Sequence, residues 1–313
     1  MKVFVSGGAG FIGSHLVDRL ISRGDEVTVF DNLSSGSLDF IRGHLDEGSV
    51  SMIEADLLDL ESVTEALLGH DFVYHLAANP DIGYGIEHSD WDLKQNTIVT
   101  YNVLEAMRVN GVKSIVFPST SAVYGEPDVI PTPEDFGPLF PISLYGASKL
   151  ACEALVSAFC GTYGFCAWVF RFANIVGGRG THGVSYDFIE KLCKNDCELE
   201  ILGDGEQKKS YLHVDDLLDG VFHAIEHSDE NLNYFNLGCG DQVSVREIAQ
   251  IVCDEMGLSD VEFKFSKSKR GWPGDVTVMN LAVEKIGKLG WKAKYSSSEA
   301  VRRGVAGMLE CRL

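Results

Sequence analysis

The stretch that most constrains this chain is its opening, Met1 to Gly24. Lys2-Val3-Phe4-Val5 is a short β-prone apolar run, Gly7-Gly8-Ala9-Gly10-Phe11-Ile12-Gly13 is a turn, and Leu16, Val17, Leu20 and Ile21 recur at helical spacing. A strand that enters a helix through glycines predicts a phosphate cradle. Such a turn bends sharply and lets the backbone approach a pyrophosphate, the last glycine lets helix and strand pack closely, and the helix start offers N–H groups at the positive end of its dipole. About 20 residues on, Val27-Thr28-Val29-Phe30 reads as a second strand ending in Asp31, whose carboxylate can accept from an adenosine ribose. Together these features predict dinucleotide binding by Gly7, Gly10, Phe11, Ile12, Gly13, Asp31 and Asn32. The charge of Asp31, with no arginine directly after it, favours NAD over a cofactor bearing a 2′-phosphate.

The rest of the first half repeats the alternation. Val50–Glu54, Phe72–Leu76 and Ser114–Phe117 read as strands, and Leu60–Leu68 and Leu93–Arg108 carry helical spacing. This predicts an α/β fold, a doubly wound parallel Rossmann sheet with ligand at the strand C-termini. Asp56 and Leu57, just past the third strand, are candidates to meet the adenine, the other role for Asp56 being an N-cap of the next helix. Ala77 and Ala78 are small enough for close approach to the cofactor, and Asn96, early in its helix, is a further cofactor candidate. His75 reads as a satisfied core histidine, and Asn79–Ser89 as a loop framing the substrate.

The Ser114–Phe117 strand runs into Pro118-Ser119-Thr120-Ser121-Ala122-Val123-Tyr124-Gly125, so hydroxyls stand at a strand end. A proline-rich loop then leads to a helix from about Ser143, on which Tyr145 and Lys149 are four apart and share a face. An ammonium beside a phenol favours the phenolate, so Lys149 is expected to lower the Tyr145 pKa and make it an acid/base.

Gly7-x2-Gly10-x2-Gly13, the acid at Asp31, the Ser/Thr-rich strand end and Tyr145-x3-Lys149 resemble the extended short-chain dehydrogenase/reductases. Within them the chain is most similar to NAD-dependent nucleotide-sugar epimerases of the UDP-glucose 4-epimerase type, over essentially its full length. The resemblance implies that Tyr145 takes a proton from a sugar hydroxyl as hydride leaves the same carbon for NAD. Lys149 binds the nicotinamide ribose and Thr120 bonds the reacting oxygen. Thr120 is selected over Ser119 and Ser121 because the family's hydroxyl position is separated from Val-Tyr-Gly by two residues, here Ser121 and Ala122. A 4-keto sugar that turns over and recovers hydride on its other face is inverted with no net redox. Sugar 4,6-dehydratases usually have an Asp-Glu pair after that hydroxyl and uronate decarboxylases a glutamate. Ser121-Ala122 stand there here, so epimerisation outranks both. A non-catalytic NAD-binding regulator is the reading of a different class, and the complete Thr120, Tyr145, Lys149 set tells against it.

The C-terminal part is expected to be a smaller α/β domain for the nucleotide sugar. Arg171-Phe172-Ala173-Asn174 reads as the end of a strand, and the resemblance implies that Asn174 contacts the diphosphate. Arg270 in Arg270-Gly271-Trp272-Pro273-Gly274-Asp275 would clamp the same group, and Asp275 would bind a ribose hydroxyl or fix the turn. Lys209-Ser210 stand where the family commonly has arginine then aspartate. Lys209 supplies charge there without the two-pronged guanidinium. Asp215 and Asp216 read as caps of a helix over Leu217–Ile225, Ser244 and Glu247 as a capping box, and Lys285–Trp291 and Ser298–Met308 as two helices. The expected domains are 1–174 and 175–313, the chain returning to the first around 213–240.

With a formal charge of −20 and a pI near 4.7, a nucleic-acid surface is not expected, because backbone phosphates would be repelled. Eight cysteines without a CxxC pair read as reduced thiols. Cys193/Cys197 and His223/His227 have ligand-like spacing, but neither pair has further ligands near it in sequence, so no metal is expected. The first strand begins at once and no run reaches membrane-spanning length, which predicts a cytoplasmic protein with no membrane partner. A homodimer is implied by the resemblance alone.

Overall fold

A computed structural model spans residues 1–313, and the description covers all of them except 80, 81, 267, 269, 270, 272, 273 and 313. By packing, the chain forms two compact units. One is Met1–Val123 with Leu144–Phe170 and His227–Tyr234, and the other is Tyr124–Ser143 with Arg171–Glu226 and Phe235–Leu313. Compared with a cut at residue 174, this division moves the proline-rich loop into the second unit and makes the return to the first a short one.

In chain order the first half gives β1 (Lys2–Ser6), α1 (Phe11–Ser22), β2 (Glu26–Asp31), α2 (Arg42–Asp46), β3 (Val50–Glu54), α3 (Leu60–Ala66), β4 (Phe72–His75) and α4 (Ile82–Glu87). A wide π turn (Leu93–Ile98) leads into α5 (Val99–Asn110), then come β5 (Ser114–Thr120), α6 (Leu144–Tyr163) and β6 (Cys166–Phe172). The second half continues with β7 (Asn174–Val176), α7 (Val184–Lys194), β8 (Glu198–Ile201), β9 (Lys208–Lys209), β10 (Tyr211–His213), α8 (Val214–His227) and β11 (Leu232–Leu237). It ends with β12 (Val243–Ser244), α9 (Val245–Glu255), β13 (Glu262–Phe265), β14 (Val278–Met279), α10 (Glu284–Gly287) and α11 (Ser297–Glu310).

The main sheet is a doubly wound Rossmann sheet of order β11-β6-β5-β4-β1-β2-β3. Pairings from β3 through β2, β1 and β4 to β5 are parallel. Its strands read as near-continuous apolar runs because helices cover both faces, as Val3, Phe4, Val5, Val29 and Phe30 at zero exposure illustrate. Leu16, Val17 and Leu20 bury one stripe of α1 against it, each stabilising the fold by about 2 kcal/mol. The strand order reverses between β1 and β4, where Ser6 pairs with His75. That switch point is where the chain's ends of β1 and β4 open a crevice for ligand. The second unit has its own core, in which Phe188, Leu199, Ile201, Ile248, Val252 and Val301 pack together.

Several local expectations need correction. Within Asn79–Ser89 lies the helix α4, not an unbroken loop. Asp59, not Asp56, caps α3, accepting from the Glu61 and Ser62 N–H groups, because it immediately precedes the helix. Asp215 and Asp216 sit inside the first turn of α8, and Asp216 accepts instead from the backbone N–H groups of Lys294 and Tyr295 at 2.9 and 3.1 Å. Asn174 opens β7 instead of closing β6, and α10 is a single turn. The Ser244–Glu247 capping box forms as read.

Candidate active site

The glycine turn joins β1 to α1. Gly7 has φ 72°, the left-handed region, and a Cβ on it would lie 2.6 Å from the Ala77 nitrogen. At Gly13 a Cβ would lie 2.0 Å from the Gly7 carbonyl oxygen, so the helix and turn touch backbone to backbone. Gly10, the N-cap residue of α1, is different: a Cβ there would meet only Gly7 O at 3.3 Å, so its outer side is open. The α1 start has neither a side-chain cap nor an acidic residue in its first turn. An open glycine, an uncapped helix start and no negative charge are what a pyrophosphate requires, and the cradle fits NAD.

Asp31, at the end of β2, is nearly buried. Its Oδ2 accepts from Ala9 N at 3.0 Å and its Oδ1 from Leu33 N at 2.9 Å, which ties it to the glycine turn. Burial raises its pKa, and the two N–H bonds oppose that. Asn32 is exposed and its Oδ1 accepts from Ser34 N at 3.1 Å, while its Nδ2 reaches Asp56 Oδ2 at 3.4 Å. Asp56 Oδ1 accepts from Leu58 N at 2.8 Å, and Leu57 beside it is buried. Ala77 and Ala78 follow β4 with partial exposure. Phe11 and Ile12, also partly exposed, begin α1.

The catalytic candidates lie at β5 and α6. The Thr120 hydroxyl, at the end of β5, accepts from Ala122 N at 3.1 Å and hydrogen-bonds toward the Tyr145 phenol. The phenol pKa is pushed up to about 12, by burial first, with Thr120 lowering it and the Asp92 carboxylate raising it. Lys149 is not among the groups that shift it. Lys149 is itself buried, and its Nζ donates to the Pro118 carbonyl oxygen at 3.0 Å and lies 4.9 Å from the centre of the Phe117 ring. Burial lowers its pKa, while Cys152, Glu153 and Asp92 work against that. On α6 the two residues are one turn apart, and both find their partners on β5.

Asn96 is enclosed. Its Oδ1 accepts from Asn79 N at 2.8 Å and its Nδ2 donates to Ser148 Oγ at 2.8 Å and to Asp92 Oδ1 at 3.3 Å. It braces α6 one residue from Lys149, through the π turn that widens the helix around it. Sequence reasoning missed Asp92, a buried carboxylate that acts electrostatically on both Tyr145 and Lys149. Its one available signal was its position four residues before Asn96. Ser119 donates to Glu153 Oε1, fastening the strand end to α6.

In the second unit, Asn174 Nδ2 donates to Ser210 O at 3.1 Å. Lys209 Nζ lies 2.6 Å from Asp275 Oδ1, and Asp275 Oδ2 accepts from Gly271 N at 3.1 Å. Two residues read as separate ligand contacts are therefore partners. Arg270 lies outside the described residues. Arg171 and Tyr124, which had no role in the sequence reading, form a buried set with Asn236: Arg171 Nη1 donates to the Tyr124 hydroxyl at 2.9 Å, which donates to Asn236 Oδ1 at 2.8 Å.

Residues 3–238 match the model of the family described as NAD dependent epimerase/dehydratase. The chain belongs to that family. Among this family's members, a putative UDP-glucose 4-epimerase of Methanocaldococcus jannaschii is 33% identical over 313 residues, 98% of each chain. A crystal structure of UDP-galactose 4-epimerase is 41% identical with a TM-score of 0.89, covering 100% of both chains. That of UDP-glucose 4-epimerase from Thermus thermophilus, a complex with NAD, is 33% identical with a TM-score of 0.86 over 98% of both. Similarity this complete extends the family assignment from the glycine cradle to the second unit. Among the described residues, no helix is long and apolar enough to cross a membrane.

Proposed function

We propose that this family member inverts C4 of a nucleotide sugar with retained NAD, and that UDP-glucose and UDP-galactose are its substrate pair. The observation that carries the reading is Thr120 at the Tyr145 phenol, one helical turn from Lys149, beside Ser121 and Ala122, which cannot take the acid/base role of a dehydratase's or decarboxylase's carboxylates. When bound, NAD supplies a hydride acceptor that becomes the donor for the return. Tyr145 holds the proton exchanged with the sugar 4-hydroxyl, and Thr120 orients the oxygen that loses and regains it. Lys149 contributes fixed positive charge and a donor for the nicotinamide ribose. Gly7, Gly10, Phe11, Ile12 and Gly13 hold the pyrophosphate, Asp31 and Asn32 the adenosine ribose, and Asp56 and Leu57 the adenine side. Ala77 and Ala78 line the approach, and Asn96 acts through α6. Asn174, Lys209, Arg270 and Asp275 serve the sugar nucleotide's diphosphate and ribose. We also assign a cytoplasmic homodimer working in galactose metabolism, with residues 1–174 binding the cofactor and 175–313 the substrate.

Support for the UDP-sugar comes from relatives named for UDP-glucose and UDP-galactose. The test is incubation of the purified chain with UDP-, dTDP- and GDP-sugars and identification of products by NMR. Interconversion of UDP-glucose and UDP-galactose is expected. A 4-keto-6-deoxy sugar or a pentose as the sole product would overturn the assignment.

A further inference from the structure

Buried polar groups that this chemistry leaves unused converge on His75, at the end of β4. The residue is fully buried, and its ring nitrogens both have partners: Nδ1 lies 2.6 Å from Ser6 Oγ and Nε2 lies 3.0 Å from Thr100 Oγ1. Ser6 is the last residue of β1, directly before Gly7, and its Oγ accepts from Ala77 N at 3.4 Å. Ser6 is fully buried, and among the described residues the acceptor available to its hydroxyl hydrogen is His75 Nδ1. Nδ1 must then be the unprotonated nitrogen, and Nε2–H donates to Thr100. The Thr100 hydroxyl lies at the Cys152 thiol, and Cys152 Sγ donates to Asn96 O at 3.4 Å. Donors thus point one way, from the Ala77 amide to the Asn96 carbonyl.

His75 also reaches Lys149 by packing. Its ring centre is 6.0 Å from that of Phe117, whose ring lies 4.9 Å from the Lys149 ammonium. Cys152 stands three residues beyond Lys149 on α6, and the two act electrostatically on each other.

We infer that His75 is a positioning residue: as the middle link of a one-way buried hydrogen-bond chain, it holds the glycine turn and the aromatic seat of Lys149 in one geometry. The inference rests on the cofactor and lysine roles proposed above. A fixed tautomer suits the task, because a reversed ring would oppose two donors at Ser6 or two acceptors at Thr100. Removing the ring's polar atoms while keeping its bulk strands a hydroxyl beside Gly7 and loosens Thr100 against Cys152.

The experiment uses the full chain, with its NAD, labelled with 15N. Nitrogen shifts of His75 read the tautomer without reference to activity, and the Nε2–H form is expected at neutral pH. His75→Phe is expected to fold, to retain NAD about tenfold less well, and to lose about 10²-fold in kcat with little change in KM for the sugar nucleotide. His75→Gln, which keeps one acceptor and one donor, recovers most of that loss. An Nδ1–H tautomer, or a folded His75→Phe that keeps wild-type NAD retention and kcat, overturns the inference. If His75→Phe does not fold, the tautomer and His75→Gln decide: a His75→Gln chain that folds but loses NAD as a polar-free ring would also overturn it. A chain inactive on every sugar nucleotide, yet with Nε2–H His75 and NAD loss in His75→Phe, supports this inference while the proposed reaction falls.

Discussion

Tyr145 and Lys149, one turn apart on α6, take different partners: the phenol meets Thr120, while the ammonium donates to the Pro118 carbonyl oxygen at 3.0 Å. Both partners lie on β5, so one strand end holds the two groups in fixed relation. Burial keeps the phenol protonated. It is ready to donate, and it can act as a base once positive charge beside it favours the phenolate.

Tyr145→Phe removes the exchanged proton and little else. We expect kcat to fall by about 10²–10⁴-fold with KM for the sugar nucleotide nearly unchanged, measured by coupled assay of the product sugar. Retained turnover would remove Tyr145 from the chemistry.

Thr120→Val takes away the hydrogen bond that lowers the phenol pKa, so that pKa, already raised by burial, rises further. The phenolate band in an ultraviolet pH titration, taken as the difference from Tyr145→Phe, should move to higher pH. Turnover should fall about 10²-fold, as for loss of one preorganised donor at a reacting oxygen.

His75 makes stability depend on pH. Its pKa falls from 6.5 to about 3, chiefly through burial and secondly through Lys149, so the folded chain refuses a proton that the unfolded chain binds. The unfolded state therefore holds more protons between those two values, and stability rises with pH across the window and is lost as pH falls through it. The slope from this group is about 1.4 kcal/mol per pH unit. Urea midpoints at pH 4.5 to 6 should fall less steeply in His75→Phe than in the parent.

Lys209 and Asp275 answer each other at 2.6 Å, with Asp275 almost fully buried. Lys209→Ala takes the ammonium away from that buried carboxylate and should cost about 2 kcal/mol in chemical denaturation. Lys209→Met with Asp275→Leu should recover part of that stability, while KM for the sugar nucleotide remains raised.

Asp31→Asn keeps one of the two oxygens that accept from the Ala9 and Leu33 amides, sets an NH2 donor against the other, and drops the charge. The ratio of NADP to NAD affinity, from calorimetry on the stripped chain, should rise at least about tenfold. Equal binding of both cofactors by the parent would remove Asp31 as the discriminating group.

The parts of this molecule written in local pattern were legible beforehand. Apolar runs gave β1 and β2, the glycine spacing gave the cradle, and an i,i+4 interval placed Tyr145 and Lys149 on one face. What escaped depends on where a side chain turns in three dimensions. Spacing placed Lys149 and the phenol on one face, but the ammonium's own partners, the Pro118 carbonyl and the Phe117 ring, are brought by β5. Asp56 and Asp59 look alike as helix caps, and only the start of α3 distinguishes them. Asp92 carries no motif, and its influence on Tyr145 exists only because α6 packs beside the π turn.

The order of strands in the main sheet bears on synthesis. Strand β1 is made early, but β11, which covers the flank of β6, is complete only at Leu237. Until then β6 is an open edge, with unpaired N–H and C=O groups able to template another chain. A fragment ending at residue 174 keeps that edge bare for good. It would carry the whole glycine cradle and the Tyr145 helix and still be prone to self-association, so a cut there does not release a separable module.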